Sequence, residues 1–147
     1  SVRLALRAVP ASADVVLAHD AVRPCVRAEA IRQVVAAVRA TGAAALAVPV
    51  ADTLRKENGA VFGATVPREG LYRMQTPQGF RRAPFEAAHR RAVVEGVTAT
   101  DDVELVQQAG YEVQIVRGSA QNFKITTPED WTLAQHLWPH WAERVAG

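Results

Sequence analysis

Asp14–Val50, DVVLAHDAVRPCVRAEAIRQVVAAVRATGAAALAVPV, changes its hydrophobic period twice. Asp14–His19 is a short apolar run bounded by polar residues, the pattern of a strand buried on both faces of a parallel sheet. In Ala28–Thr41 the residues Ile31, Val34, Val35 and Val38 recur at helical spacing. They form one apolar stripe, and Gly42 suits the C-terminal cap. Ala44–Val50 is a second apolar strand. Strand, helix, strand in this order is a right-handed crossover unit, because twisted strands and a right-handed helix pack back on each other only that way.

Toward the N-terminus, Val2, Leu6 and Val9 fall at helical spacing and Pro10 ends the helix. The chain opens on Ser1 directly into that helix, and the expectation is that an N-terminal part of the natural protein precedes it. Toward the C-terminus the pattern changes. From Ala51 to Met74 apolar and polar residues roughly alternate, and Asn58-Gly59 separates Thr53–Lys56 from Val61–Thr65, a strong hairpin signal. Helical patterning returns at Pro84–Glu95, closed by Gly96, and at Asp101–Ala109, with Asp101 and Glu104 as a capping box and Gly110 as the stop. Glu112–Val116 reads as a strand, and Asn122–Ile125 as a further short one. Thr127-Pro128-Glu129-Asp130 announces a last helix with a cap, a first-turn proline and acids at the positive helix end.

Alternating strands and helices predict a three-layer α/β sandwich, one domain over residues 1–147 with a mostly parallel sheet and an antiparallel β-arm inserted at 51–74. An isolated two-stranded arm is marginal unless it packs on something, so the arm is expected to serve dimer contact. In such sheets ligands bind beyond the carboxyl ends of the strands.

The 147 residues, 49% hydrophobic and 22% charged, are ordinary for a folded domain able to bury a core. A formal net charge of +2 is too weak to argue for nucleic acid or an anionic membrane. No apolar stretch approaches the roughly 18 residues of a membrane span. The single cysteine, Cys25, allows no internal disulfide and suits a reducing, cytoplasmic setting.

Residues able to carry chemistry follow the strands. His19-Asp20-Ala21-Val22-Arg23-Pro24 comes after the first. Asp20 suits a ribose hydroxyl or a metal–phosphate complex, and the planar fork of Arg23 suits a phosphate. The alternative is a local Asp–Arg pair that only orders a loop, with His19 structural. Asp52-Thr53 forms a polar turn after the second strand. Arg68 lies near the base of the arm's return, where a solvated charge is the plain reading. Gln75-Thr76-Pro77-Gln78-Gly79-Phe80 is polar and stiffened by proline, and reads as structural on spacing alone. Lys124 has apolar neighbours and lies just before a helix N-terminus. Both features suit an anion, and lysine is a compact point charge for phosphate. No phosphate-cradling glycine loop, Gly-x-Ser-x-Gly elbow or paired-histidine motif is present, and no base is placed to activate Cys25.

In order, His19–Pro24, Asp52-Thr53, Thr65-Val66-Pro67-Arg68, Gln75–Phe80, Thr100-Asp101-Asp102 and Asn122–Asp130 form a series that resembles the 2-C-methyl-D-erythritol 4-phosphate cytidylyltransferase family, from Ser1 to about Leu137. The resemblance implies a nucleotide-diphospho-sugar transferase fold and a homodimer. It implies transfer of a cytidylyl group from CTP to 2-C-methyl-D-erythritol 4-phosphate in isoprenoid precursor synthesis, with pyrophosphate released and Mg2+ held mainly by the CTP phosphates. It assigns Asp20, Ala21, Arg23, Thr53 and Thr76 to substrate binding or support of the site. Arg68, reaching into the partner subunit's site, and Lys124 would position the acceptor phosphate. The family's glycine-rich loop would lie before Ser1. The alternatives are a ribitol 5-phosphate cytidylyltransferase, which shares the motif series, and a non-catalytic dimerisation module.

Overall fold

The computed structural model describes residues 2–96 and 98–146. Eleven elements follow in chain order: α1 (Val2–Leu6), β1 (Val15–Ala18), α2 (Ala28–Thr41), β2 (Ala43–Pro49), β3 (Leu54–Asn58), β4 (Val61–Val66), β5 (Tyr72–Arg81), α3 (Arg82–Glu95), α4 (Asp102–Gln108), β6 (Gln114–Arg117) and α5 (Pro128–Ala146). The crossover predicted from Asp14–Val50 is present as β1, α2 and β2. Gly42 ends α2 at a φ of 98°, a conformation open to glycine because it lacks a Cβ.

The sheet order is β1-β5-β2-β6. β5 runs antiparallel to both β1 and β2, and β2 runs parallel to β6. The expectation of a mostly parallel sheet is therefore corrected to a mixed one. β1, β2 and β6 do share a direction, but β5 is wedged between the two crossover strands. It joins the end of the expected arm to Gln75–Phe80, the polar, proline-stiffened segment read as structural. It forms a strand because its second half is apolar or small enough to bury: Phe80 is 1% exposed, and Gly79 lies against α2. A Cβ on Gly79 would stand 2.8 Å from Leu17, Val34 and Val38 side-chain atoms, so glycine permits the close strand–helix approach. Proline has no N–H for a ladder. The register accordingly slips there, from Ala45↔Gln78 to Ala47↔Met74, and Gln75–Pro77 bulge out of the pairing.

β2 alternates its side chains between two cores. Ala44 and Leu46 pack with Val34 and Val38 of α2. Ala43 and Ala45 pack on the other face with Leu6, Phe80, Phe85, Ala88, Val103, Leu105 and Val106, from α1, β5, α3 and α4. Helices thus cover both faces. β3 and β4 form a separate antiparallel ribbon with Val61 and Phe62 exposed near its turn.

Local chemistry fixes the helix ends. The expected helix over Val2–Val9 stops at Leu6, and its last turns tighten into i→i−3 bonds at Arg7, Ala8 and Val9. Asp101 caps α4 by accepting from Glu104 N at 2.8 Å. Glu104 reaches back one residue beyond the predicted box, accepting from Thr100 N and its hydroxyl. Those bonds, the backbone one first, hold the Glu104 carboxyl below its usual range. At α5, Asp130 accepts from the N–H groups of Thr126 and Thr127 and from the Thr126 hydroxyl, which lowers its pKa likewise. Asn122–Ile125, expected as a strand, is irregular chain held by side chains.

Candidate active site

Because β1, β2 and β6 share a direction, their carboxyl ends and the amino-terminal half of β5 meet at one edge of the sheet. An open groove of about 1020 Å³ lies there, lined among others by Asp20, Arg23, Thr76, Gln78 and Lys124. Its volume suits a small-molecule substrate.

The turn after β1 is built around Thr76, which the β5 bulge aims toward it. Asp20 N donates to Thr76 Oγ1 at 3.0 Å, and Thr76 Oγ1 lies 2.8 Å from His19 Nδ1. His19 Nε2 lies 3.2 Å from the Arg23 carbonyl oxygen, which can only accept. Neutral His19 must therefore carry its proton on Nε2 and accept the Thr76 hydroxyl at Nδ1. Both ring nitrogens are satisfied, so His19 holds the turn, in keeping with its structural reading.

Asp20 Oδ2 sits between two cations, 3.1 Å from Arg23 Nε and 3.4 Å from Lys124 Nζ. The Asp–Arg pair is present. The rest of the Arg23 fork is turned into the protein: Nη1 donates to the Asn122 carbonyl at 2.8 Å and Nη2 to the Met74 carbonyl at 3.4 Å. Arg23 thus ties β1's turn, β5 and the Lys124 segment together. Lys124 is the freer cation, its side chain 48% exposed against 12% for Arg23.

Of the residues expected at the site, Asp20, Arg23, Thr76 and Lys124 converge, with Ala21 exposed on the same turn. Thr53 and Arg68 stand apart at the base of the ribbon. Thr53 is exposed just before β3, and Arg68 Nη1 donates to the Ala51 carbonyl between β4 and β5. Neither lines the groove.

The sequence reading missed four contributors. Gln75 and Asn122, 4% and 2% exposed, bond to each other's segments beneath the groove. Gln78 donates to Asp101 Oδ2 at 3.0 Å, joining β5 to the start of α4. His89 Nε2 lies 3.3 Å from Asp102 Oδ1, a charge contact out of line for a hydrogen bond. Burial lowers the His89 pKa and raises that of Asp102, each countered by the other's charge. Polar residues flanked by small or apolar ones in QTPQGF and QNFKI were the available signal. Cys25 is buried, and burial pushes its thiol pKa up, away from thiolate chemistry.

Among the described residues no group of three or more His, Cys, Asp or Glu is placed to hold a metal ion, and no helix is long and apolar enough to cross a membrane.

The family model described as IspD, 2-C-methyl-D-erythritol 4-phosphate cytidylyltransferase, matches residues 1–139. Curated proteins bearing that same description are 60% identical over 143 residues in Salinibacter ruber and 49% identical over 140 residues in Deinococcus radiodurans. They cover 97% and 95% of this chain, while the chain spans 60% of each relative's length. The crystal structure of 2-C-methyl-D-erythritol 4-phosphate cytidylyltransferase from Thermus thermophilus superimposes with a TM-score of 0.90 at 44% identity, covering 95% of this chain and 68% of that one.

Proposed function

The chain belongs to the 2-C-methyl-D-erythritol 4-phosphate cytidylyltransferase family, and from that premise we propose that the full-length protein carrying it transfers a cytidylyl group from CTP to 2-C-methyl-D-erythritol 4-phosphate. The two helical layers around the mixed sheet are read as the nucleotide-diphospho-sugar transferase sandwich. The observation that carries the reading is the meeting of Asp20, Arg23 and Lys124 on one carboxylate oxygen at the carboxyl edge of the sheet.

In the proposed reaction an oxygen of the acceptor's phosphate attacks the α-phosphorus of CTP, and the bond from that phosphorus to the bridging oxygen breaks to release pyrophosphate. A phosphate monoester with a second pKa near 6 is mostly a dianion at neutral pH, so no general base is needed. The obstacle is repulsion between two anions, and cations at fixed positions remove it. Lys124, half-exposed and aimed into the groove, suits the acceptor phosphate. Asp20 keeps Lys124 oriented, and Ala21 and Thr76 shape the turn around the substrates. A magnesium ion arriving on the CTP phosphates would neutralise part of their charge. Asp20 is the carboxylate within the Lys124 cluster that could face it, its Oδ2 already shared. Thr53 and Arg68, remote from this groove, are assigned to a partner subunit's acceptor phosphate.

That assignment requires a homodimer through the ribbon at 51–74. Its support is the exposed apolar pair Val61 and Phe62, 65% and 84% exposed, on a two-stranded element with little of its own to bury. The full-length protein is expected to sediment as a dimer at micromolar concentration, and a monomer there would count against the arm's role.

The function is tested by assaying pyrophosphate release with CTP and either 2-C-methyl-D-erythritol 4-phosphate or ribitol 5-phosphate, the former being the expected acceptor. Asp20→Asn and Arg23→Ala should each lower turnover by about tenfold or more, because loosened positioning of reacting groups alone can cost that much. Asp20→Asn should keep its melting temperature. An unchanged rate, or collapse of the fold with Asp20→Asn, would leave the pair a loop brace with no part in the chemistry.

A further inference from the structure

Lys124 lies in irregular chain between β6 and α5, so neither strand pairing nor helix fixes its height above the groove. Two attachments flank it. On the C-terminal side Ile125 N donates to the Val22 carbonyl at 2.9 Å. On the N-terminal side the attachment is the buried side chain of Asn122, whose Nδ2 donates to the Thr76 carbonyl at 2.8 Å. The Asn122 carbonyl accepts from Arg23 Nη1 at 2.8 Å and from Gln75 Nε2 at 3.1 Å. Gln75 Nε2 also donates to the Ser119 carbonyl at 2.8 Å, so one buried amide grips the segment at two points. The preceding link is made to fit around this amide. A Cβ on Gly118 would stand 2.2 Å from Gln75 Oε1 and 3.3 Å from the Ala47 carbonyl.

We infer that Asn122, clamped by Gln75, is a positioning residue that sets where Lys124 and Arg23 meet Asp20, and so where the acceptor phosphate is held. This rests on the function proposed above for Lys124. Asn122 is 2% exposed and two residues before Lys124, and it does not line the groove, so its effect passes through the cations and not through substrate contact. Its bonds reach Thr76 on β5 and Arg23 after β1, the two segments that build the Asp20 turn. A buried amide whose Nδ2 is bonded to a main-chain carbonyl leaves little freedom, and a shift of about 1 Å in a group contacting the reacting phosphate can cost about a hundredfold in rate.

The test is a double-mutant cycle in the full-length enzyme, with CTP and 2-C-methyl-D-erythritol 4-phosphate as substrates. Asn122→Ala is expected to lower kcat/KM for the acceptor about tenfold or more, with KM for CTP changed less than about twofold. In a Lys124→Ala background the same substitution should cost no more than about twofold, because residues acting as one unit are non-additive. Equal losses in both backgrounds would overturn the inference, since a general structural defect is blind to Lys124. A crystal structure of the Asn122→Ala variant gives a readout free of activity. Lys124 Nζ should leave Asp20, and finding it in place would also overturn the inference. If Lys124→Ala alone leaves turnover intact, the proposed role of Lys124 fails, while that crystal structure still decides whether Asn122 places it. Should Asn122→Ala not fold, Gln75→Met, which keeps the volume and removes both donations, is read in the same way.

Discussion

Replacing Phe85 with alanine is expected to lower the unfolding free energy by about 3–5 kcal/mol, the range for a large aromatic removed from a packed core. Phe85 is fully buried on the inner face of α3. Its ring stacks on Phe80 of β5 with centroids 4.3 Å apart and planes 13° off parallel, and meets His89 edge-on at 4.6 Å. One side chain therefore joins sheet, helix and the His89–Asp102 contact at the start of α4. Truncation loses the transfer term, leaves a cavity that rigid β5 cannot fill, and admits water beside the half-buried His89–Asp102 contact. A domain of this size has only about 5–15 kcal/mol of stability in total, so the variant should sit near the margin. Urea unfolding with an unchanged m-value checks it. Phe85→Leu should recover most of the loss, and a cost under about 1 kcal/mol would mean that α3 collapses into the gap.

The sequence made legible what local chemistry determines. Helix α2 was read with its observed ends because its stripe and Gly42 agree. β2 was found because its run of apolar residues, six of them buried, leaves no polar position. Asn58-Gly59 marked the ribbon's turn, and Asp101 and Thr127 marked two helix starts. β5 escaped because Tyr72–Met74 fell within the alternating pattern of the arm and Gln75–Phe80 is polar and carries a proline, which argues against a central strand. What makes it a strand lies elsewhere in the chain: two partner strands, and α2 pressing where Gly79 offers no side chain. The mixed sheet follows from that one strand, so missing it also gave the wrong pairing.

The site divides in the same way. Asp20 and Arg23 were visible as an acid and a base leaving a strand, and Lys124 as a lysine among apolar neighbours. That the three share one oxygen required residues about a hundred positions apart to be brought together by β5 and β6. Gln75 and Asn122 were invisible as contributors because a polar residue's burial is a tertiary fact, and each donates to main-chain carbonyls of another segment. Arg68 is the remaining case. Only resemblance to the family assigned it, and its guanidinium, bonded to Ala51 outside the groove, gives no reason within one subunit for a role with Lys124.

That separation makes the test of Arg68 and Lys124 a sharp one. Arg68→Ala and Lys124→Ala, made singly in the full-length enzyme, are each expected to lower kcat/KM for the acceptor phosphate by about one to two orders of magnitude. A charge-assisted hydrogen bond is worth about 1.5–3 kcal/mol, and each 1.4 kcal/mol is a factor of ten in rate. The loss should be larger if the contact tightens as the two anions close, and KM for CTP should change far less. The two variants are then mixed. If Arg68 serves the partner's site, a dimer of one subunit lacking Arg68 and one lacking Lys124 has both defects in one site and none in the other. About half the activity of the unmodified dimer should return, although each parent is nearly inactive. If Arg68 instead serves its own subunit, each site of the mixed dimer keeps a single defect and no activity returns. Recovery in proportion to the mixed species, measured by titrating one variant into the other, would establish that the ribbon completes its partner's site.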